Sequence, residues 1–389
     1  MAILRHLPPV LSPVRPLASL KAVGGGGRRA LASLEDELCR RYRADAAVLC
    51  GSGTEALNLA LRLARERTGR DAAAVPAYGC YDIVSAMVGA GATPLFYDID
   101  PDTLTPAPAS MAAALSAAPA AVVVVHHYGI PSPVEPPGAA VPPDALVIED
   151  AAQAHGGVLG NRPLGSLAAA SVLSFGRGKG WTGGAGGALL LRGEAADLAD
   201  ALRRRLTPPG GAGRSTARLL AQWALGRPAV YAAPAALPWL GLGETRYVPP
   251  IQPRSMPPAV AGIVLANAAA SDREAGVRLG IAVRLKERLR KIPALRIPGD
   301  GATGGVLRLP LRIPGRAAAD LPPDAAALGL VPAYPVPLPA LGAVRRTRAG
   351  DVGAPGAATL ARELFTAPTH SFVRPSDIER IGRLLERAA

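Results

Sequence analysis

The sequence predicts an α/β protein in which a mainly parallel sheet flanked by helices forms a large domain, and a smaller C-terminal α+β domain follows. Short apolar runs typical of buried strands alternate with helical segments over the first half of the chain, and the links between them are short and rich in glycine. This alternation is the pattern of βαβ units, whose strands lie parallel in one sheet. A long helical region at residues 257–292 could bridge to the second domain. We therefore expect a large ligand-binding domain at residues 1–250 and a small domain at residues 251–389.

The individual elements follow from the local pattern. An amphipathic helix at residues 30–43 comes first, and the valine-rich run at residues 121–125 has the composition of a strand that is buried on both faces. The other predicted strands of the large domain are short apolar runs at residues 46–50, 72–76, 94–98, 146–148, 171–175 and 188–191. Its other predicted helices lie at residues 54–67 and 83–89 and, interrupted by proline, at residues 194–243. In the small domain we expect a strand at residues 306–313 and helices at residues 317–328 and 376–387.

The composition describes a globular chain. Its 389 residues are 49% hydrophobic with a mean hydropathy of +0.21, which argues against disorder. The net charge of +13 at pH 7 would suit an anionic partner. However, the arginines are scattered among acidic residues, and neither zinc-finger spacing nor a basic run with interleaved aromatics is present. We expect no nucleic-acid partner, whereas attraction for a phosphorylated substrate fits the charge equally well.

The sequence indicates a cytoplasmic protein. Three cysteines, Cys39, Cys50 and Cys80, are few and odd in number, as expected in a reducing compartment without disulfides. Prolines interrupt the apolar N-terminal residues, so no signal peptide is predicted. The uncharged stretch at residues 103–134 carries several prolines, and that at residues 229–243 is shorter than the ~20 residues of a membrane-spanning helix. We therefore expect no stable membrane insertion.

Lys179 is the most informative residue of the chain. The sequence contains only four lysines, Lys21, Lys179, Lys286 and Lys291, and every other basic residue is arginine. Because a guanidinium is effectively never deprotonated, arginine cannot replace lysine where an amine must attack a carbonyl. Lys179 follows a predicted strand in the glycine-rich segment SFGRGKG at residues 174–180, where its amine could form an imine with an aldehyde. In isolation, a surface lysine on a loop would be an equally good interpretation.

Polar residues follow three other predicted strands. Ligands of open α/β sheets lie at the carboxyl ends of the strands. GSGTEAL at residues 51–57 follows such an end, and its small residues and free N–H groups could bind an anion. The same segment could equally be an ordinary capped turn between a strand and a helix. In EDAAQAH at residues 149–155, Asp150 ends a buried strand, where a carboxylate needs a partner such as a protonated ring nitrogen or an arginine. After the strand at residues 72–76, Tyr78 and Tyr81 could stack on a flat ring or pack in the core. Together these segments provide what pyridoxal 5′-phosphate (PLP) requires.

The same motifs, in the same order, resemble the DegT/DnrJ/EryC1/StrS sugar aminotransferases, which are PLP enzymes of fold type I. The matching stretches are GSGTEAL at 51–57, VPAY at 75–78, GAGATPLFYDID at 89–100, IEDAAQAHGG at 148–157, LGS at 164–166, SFGRGK at 174–179 and GGALLL at 186–191. Weaker similarity extends to YPVPL at 334–338 and to residues 367–381. The pair of IEDAAQAHG and SFxxxK is specific, and the SFGRGK form is similar to a divergent branch of the family.

The resemblance implies a role for each motif residue. Lys179 would hold PLP through its amine, Asp150 would pair with the pyridinium nitrogen, and Gln153 would contact the ring. Ser174 and the helix start at residues 53–54 would bind the phosphate. Lys179 and Asp150 are thus the expected catalytic residues. The expected cofactor-binding residues are Gly53, Thr54, Glu55, Tyr78, Cys80, Tyr81, Asp150, Gln153, Ser174 and Lys179.

Two departures from the family pattern concern the expected site. Residues 79–80 are Gly-Cys where the family has the end of PxxTF or PxxTW, so stacking on the cofactor would fall to Cys80 or a neighbouring tyrosine. The family's NxRM element, whose Asn reaches the phosphate of the partner subunit, reads IQPRSMP at residues 251–257. Gln252 or Arg254 could take the place of that Asn.

The histidines have open interpretations. His126 and His127 end a predicted strand near the expected site, and either could contact substrate or cofactor. His155 could orient Asp150, and His370 could support the small domain. No spacing of His, Cys and Asp indicates a metal site.

The resemblance implies a homodimer that transfers an amino group from glutamate to a keto sugar. The expected keto sugar is nucleotide-linked, and the expected pathway is polysaccharide biosynthesis. A PLP-dependent sugar dehydratase is the alternative with the same fold, but deoxygenating members of the family replace the lysine by histidine, and Lys179 argues against that route. A non-catalytic PLP-fold partner in polysaccharide assembly is a third interpretation, motivated by Cys80 and the missing NxRM element.

Overall fold

The computed structural model describes residues 5–25, 27–135, 140–235, 246–301, 306–345 and 353–389. Its first nine strands are β1 (Ala46–Cys50), β2 (Ala72–Pro76), β3 (Thr93–Tyr97), β4 (Ala121–Val125), β5 (Leu146–Asp150), β6 (Val158–Leu159), β7 (Arg162–Pro163), β8 (Ala170–Ser174) and β9 (Gly187–Leu191). All except the short pair β6 and β7 form one seven-stranded sheet in the order β1-β9-β8-β5-β4-β2-β3.

Most neighbours in this sheet are parallel. The pairs β2–β3, β2–β4, β4–β5 and β5–β8 run parallel, and only β9 pairs antiparallel with β8 and β1. The four central parallel strands are largely buried, as expected when helices cover both faces of a sheet. The predicted fold class is confirmed, and the predicted strands of this sheet agree with the observed ones to within two residues at each end.

The helices that accompany this sheet are α1 (Pro16–Gly25), α2 (Gly27–Tyr42), α3 (Gly53–Thr68), α4 (Asp82–Ala90), α5 (Pro108–Ser116), α6 (Ala199–Arg204), α7 (Ala212–Leu225), α8 (Pro228–Ala235) and α9 (Pro258–Leu289). The first turn of α3 is capped by Ser52, whose hydroxyl accepts a hydrogen bond from Glu55 N at 3.2 Å, and Gly69 ends the helix in a left-handed conformation. The 32-residue α9 confirms the long predicted helix. None of the described helices is long and apolar enough to cross a membrane. Of the uncharged stretch at 229–243, residues 236–243 lie outside the described residues.

A second sheet follows α9. Its strands, β10 (Arg308–Arg312), β11 (Val331–Pro332) and β12 (Leu364–Pro368), lie in the order β10-β12-β11. The described α-helices that follow β10 in the chain are α10 (Asp324–Ala327), α11 (Gly342–Arg345), α12 (Pro355–Glu363) and α13 (Pro375–Ala388). Every strand of the seven-stranded sheet precedes residue 250 and every strand of the second sheet follows it, but the division into two domains at that residue stays a prediction.

The predicted helix at residues 317–328 is wrong in extent. Residues 318–320 form one turn of 3₁₀ helix and α10 spans four residues. Pro322 and Pro323 separate the two, because proline lacks the N–H that a continuous helix needs. The helices α1, α5 and α12 and the strands β11 and β12 were not predicted from the sequence.

Candidate active site

A cleft lies at the carboxyl ends of the parallel strands, where open α/β sheets bind ligands. It contains about 540 Å³ of space, which includes its opening to solvent. Predicted site residues that line it are Gly53, Thr54, Cys80, Asp150, Gln153, Ser174 and Lys179. The other lining residues are Leu57, Asp82, Ile83, Val125, His126, His127, Ala152, Val172 and Tyr334. The structure thus brings the four predicted segments together.

Lys179 reaches the cleft from the loop between β8 and β9. Gly178 adopts φ +74°, in the left-handed region that glycine enters without strain. The loop is fixed from outside by the N-terminal segment, since the Ser12 hydroxyl donates to the Lys179 carbonyl at 2.8 Å. From within, the Thr182 hydroxyl donates to the Phe175 carbonyl at 3.1 Å. The backbone on either side of the amine is therefore held by specific hydrogen bonds.

Asp150 is the last residue of β5 and faces the same cleft. Its carboxylate accepts a hydrogen bond from Ala152 N at 3.0 Å, and no ion pair joins it to a cation elsewhere in the described chain. Burial raises its pKa, and the nearby Lys179 ammonium opposes that rise only in part. A half-buried carboxylate without an ion-pair partner would be stabilised by a cationic ligand group.

Gly53, the first residue of α3, and Ser174, the last residue of β8, face each other at one end of the cleft. A Cβ added to Gly53 would lie 2.7 Å from Ser174 Cβ and 3.1 Å from its hydroxyl oxygen, so only glycine permits this approach. Gly53 and Thr54 stand in the first turn of α3, where backbone N–H groups lack intrahelical acceptors. This end of the cleft is therefore suited to an anion such as a phosphate.

Gln153 joins the two sheets across the cleft. Its side-chain oxygen accepts a hydrogen bond from Tyr128 N at 2.9 Å, and its amide nitrogen donates to the Tyr334 hydroxyl at 2.7 Å. The Tyr334 ring stacks on that of Tyr128 with centroids 6.0 Å apart. Tyr334, which follows β11, was missed as a site residue, although the YPVPL similarity was a signal that could have suggested it.

Tyr78 and Tyr81 lie beside the cleft without lining it. The Tyr78 hydroxyl accepts a hydrogen bond from Tyr334 N at 3.2 Å, and that of Tyr81 accepts one from Val336 N at 3.1 Å. Burial raises the pKa of Tyr78 well above its usual value. Both tyrosines hold the segment that carries Tyr334. Cys80, between them, does line the cleft, and burial raises the pKa of its thiol to about 12.

His126 belongs to a buried network at the wall of the cleft. Its Nδ1 accepts a hydrogen bond from Ser132 N at 3.0 Å, so Nε2 carries the proton that it donates to Glu149 at 2.8 Å. Burial alone would raise the pKa of Glu149, but the hydrogen bonds from His126 and from Gly165 N and Leu167 N lower it on balance. His155 does not contact Asp150. Its ring packs on Trp181, with centroids 5.3 Å apart, and its Nε2 lies 3.3 Å from Asp272.

Glu55 is buried away from the cleft and binds the segment that replaces the NxRM element. Its carboxylate accepts hydrogen bonds from Arg254 N at 2.7 Å and from the Arg254 guanidinium at 3.1 Å. Gln252 accepts a hydrogen bond from Arg62 at 3.2 Å. Both residues that were expected to reach a partner subunit therefore have contacts within their own chain. In the described residues no cluster of His, Cys, Asp or Glu could hold a metal ion.

Comparison with known proteins places this cleft in a family. Residues 25–214 match the profile of the DegT/DnrJ/EryC1/StrS aminotransferase family, a range that contains the predicted residues from Gly53 to Lys179. Residues 25–214 belong to this family. In fold it is similar to the sugar aminotransferase CalS13 from Micromonospora echinospora, with a TM-score of 0.76 and 21% identity over 98% of this chain and 100% of that one.

Curated relatives are similar over shorter stretches. The chain is 35% identical over 143 residues to a pleiotropic regulatory protein of Geobacillus stearothermophilus, covering 36% of this chain and 38% of that protein. It is 34% identical over 172 residues to an L-glutamine:2-deoxy-scyllo-inosose aminotransferase of Streptomyces paromomycinus, covering 43% and 40%. It is 34% identical over 154 residues to a UDP-N-acetyl-3-dehydro-alpha-D-glucosamine 3-aminotransferase of Acidithiobacillus ferrooxidans, covering 39% and 40%. These matches span about two fifths of each relative's length.

Proposed function

We propose that this protein is a PLP-dependent aminotransferase that places an amino group on the keto carbon of a sugar. A nucleotide-linked keto sugar and glutamate are the substrates we expect. The observation that carries the proposal is the convergence of Lys179, Asp150 and the Gly53–Ser174 approach on one cleft. The names of the curated relatives support an inosose or nucleotide-sugar acceptor.

The residues of the cleft fit PLP in three independent ways. Asp150 is a half-buried carboxylate whose described hydrogen bond comes only from a backbone N–H, so a protonated pyridine nitrogen would complete its pairing. The close approach of Gly53 to Ser174 brings a hydroxyl next to the start of α3, and the two together are suited to a phosphate. Lys179 supplies an amine for the cofactor's aldehyde at the same cleft.

The proposed reaction assigns one task to each group. When bound, PLP accepts the negative charge that develops on the substrate carbon as its proton leaves. The Lys179 amine would hold the cofactor and, when free, would act as the general base and acid that takes this proton and gives it back. Asp150 favours the protonated ring nitrogen by its negative charge. Gln153 fixes Tyr334 over the cleft and so closes its side toward the second sheet.

Lysine at position 179 supports transamination over the dehydratase alternative, because the amine needed to move the proton lines the cleft. The same lysine allows an experiment that distinguishes an enzyme from a non-catalytic partner. An enzyme should show an absorbance band near ~410–430 nm that an amino donor bleaches, and titration with glutamate and glutamine in parallel identifies the donor.

Borohydride reduction followed by peptide mapping tests the assignment of the lysine. We expect the pyridoxyl label on Lys179, and Lys179→Arg should keep the fold and lose the label because guanidinium does not form the bond. Lys286→Arg is the matched control, since Lys286 pairs with Asp300 at 3.4 Å and lies outside the cleft lining. A label on Lys286 or Lys291, or a label that survives in Lys179→Arg, would contradict the proposal.

We also propose a homodimer. Val248 and Ile251, with exposed fractions of 57% and 51%, border a second pocket that shares Thr54 and Asp82 with the first. An apolar segment so exposed beside the site is suited to contact with a second copy of the chain. Sedimentation equilibrium at micromolar concentration should give twice the chain mass, and a monomer that is saturated with PLP would refute the dimer.

A further inference from the structure

His127 has a ring nitrogen that makes no hydrogen bond within the described residues, and its side chain lines the cleft. It is the second residue after β4, it lines the cleft, and only 3% of its surface is exposed. Its Nε2 atom is buried and has no hydrogen-bond partner in the described part of the chain. An unsatisfied buried polar atom destabilises the folded protein. Such an atom in a ligand site calls for an explanation.

The adjacent His126 shows what a structural histidine looks like in this place. Both of its ring nitrogens are hydrogen-bonded, to Ser132 N and to Glu149. His127 stands one residue further along the chain, and none of these partners serves it. The difference separates a histidine that holds the fold from one whose nitrogen remains available.

The backbone makes room for the His127 ring. Gly79 has φ +153°, and a Cβ at this position would lie 3.3 Å from His127 Cε1 and 3.3 Å from Ile83 Cδ1. A side chain here would press on the ring from a backbone conformation that residues other than glycine rarely adopt. Glycine at position 79 and histidine at position 127 are thus structurally matched.

The position of His127 in the chain connects it with Asp150, the residue expected to pair with the pyridine nitrogen of the ligand. Val125 is paired with Asp150 in the register of β4 and β5, and His126 N donates to the Asp150 carbonyl at 3.1 Å. His127 therefore follows directly on the backbone that pairs with Asp150, and both residues line the same cleft. A ligand ring placed over Asp150 would be bordered by this imidazole.

We propose that His127 is a binding residue for the cofactor, whose neutral imidazole donates a hydrogen bond from Nε2 to an acceptor atom on the pyridine ring. This inference rests on the proposed function, since it takes PLP as the ligand. Burial keeps His127 uncharged by lowering its pKa to about 3, so the contact is not an ion pair with the phosphate. Gly79 serves the same contact by admitting the ring.

The inference predicts that replacing His127 raises the melting temperature of the apoprotein and weakens its affinity for PLP. His127→Phe keeps a ring of similar size and removes the unpartnered nitrogen, so the apoprotein should melt about 1–3 °C higher than wild type. The dissociation constant for PLP, measured by the quenching of tryptophan fluorescence, should rise about 10-fold because one hydrogen bond is lost. His127→Gln, which retains a donor, should keep the affinity within about 3-fold of wild type.

Tyr97→Phe is the matched control. The Tyr97 hydroxyl is buried and donates to the Val123 carbonyl at 2.7 Å, outside the cleft lining. This variant should melt below wild type and bind PLP with unchanged affinity, the reverse of His127→Phe.

The outcomes separate this inference from the proposed function. If wild type binds PLP and His127→Phe binds it equally well, the inference fails and the proposed function stands. A His127→Phe apoprotein that melts below wild type, or does not fold, also overturns the inference, because the nitrogen then has a structural partner. A wild-type protein that binds no PLP overturns the proposed function and the inference together.

Discussion

The ion pair between Glu55 and Arg254 predicts that removal of the Glu55 side chain lowers the free energy of unfolding much more than removal of the Arg254 side chain. Glu55 is 2% exposed, and its carboxylate receives both the backbone N–H and the guanidinium of Arg254. The Arg254 side chain is 43% exposed. Removal of the carboxylate therefore deprives two donors of their acceptor, whereas removal of the guanidinium deprives the carboxylate of one half-exposed donor only.

The magnitudes follow from burial. A hydrogen bond to a charged group contributes about 1.5–3 kcal/mol, and an orphaned donor adds to its loss, so Glu55→Ala should lower the free energy of unfolding by about 2–4 kcal/mol. Solvent screens the exposed guanidinium, so Arg254→Ala should cost at most about 1 kcal/mol. Glu55→Gln keeps an acceptor for Arg254 N and should fall between the two.

Urea unfolding of the apoproteins, followed by circular dichroism, measures these differences, and the double variant gives the coupling between the side chains. Equal losses for Glu55→Ala and Arg254→Ala would refute the argument from burial. The same variants address the dimer. Because Arg254 binds Glu55 of its own chain, Arg254→Ala should change PLP affinity by less than about 3-fold, whereas a loss of about 1.5–3 kcal/mol would show that the guanidinium contacts the phosphate of a partner subunit.

Three further predictions concern the cleft and its surroundings. Asp150→Asn should retain part of the bound PLP and lose turnover by several orders of magnitude, as single-turnover absorbance would show, because an unprotonated ring accepts charge poorly. Gly53→Ala should weaken PLP binding at least ~10-fold by closing the phosphate end, whereas the control Gly280→Ala, with open space around its helical position, should stabilise the protein by about 0.5–1 kcal/mol. Burial lowers the pKa of His127 to about 3 and of His370 to about 4, so the unfolded chain binds more protons below pH 6.5. The free energy of unfolding should fall between pH 7 and pH 5 by about 2 kcal/mol for each histidine, and a urea midpoint independent of pH would contradict this sign.

The residues that the sequence located well are those whose position is set by a strand end. Asp150 and Ser174 end the strands β5 and β8, which the apolar runs at residues 146–148 and 171–175 predicted to within two residues, and Gly53 begins the helix after β1. Parallel strands bring their carboxyl ends to one edge, so these residues had to meet there. Lys179 follows from its rarity and from its place five residues after such a strand.

Side-chain direction was harder to infer from sequence. Tyr78 and Tyr81 flank Cys80 closely in the chain, yet both hydroxyls bind the backbone at residues 334–336, and only Cys80 lines the cleft. The loop after β2 has no regular alternation of apolar and polar residues that would indicate which side chains face the cleft. Contacts between segments that are distant in the chain could not be predicted from the sequence either. Ser12 and Lys179, for example, come together only in the complete tertiary structure.

The charge of the chain does not identify the cleft. Although the net charge is +13, the described lining contains Lys179 and the two histidines as its only basic side chains, and no arginine. Attraction for an anion must therefore come mainly from the start of α3 and from Lys179, with the protein's overall field guiding the ligand from a distance. Arg308, whose guanidinium lies 5.5 Å from the centre of the Tyr128 ring beside Tyr334, is a cation placed next to the cleft wall rather than within it. This arrangement suits a substrate whose reacting end enters an arginine-free cleft while any charged group it carries stays outside.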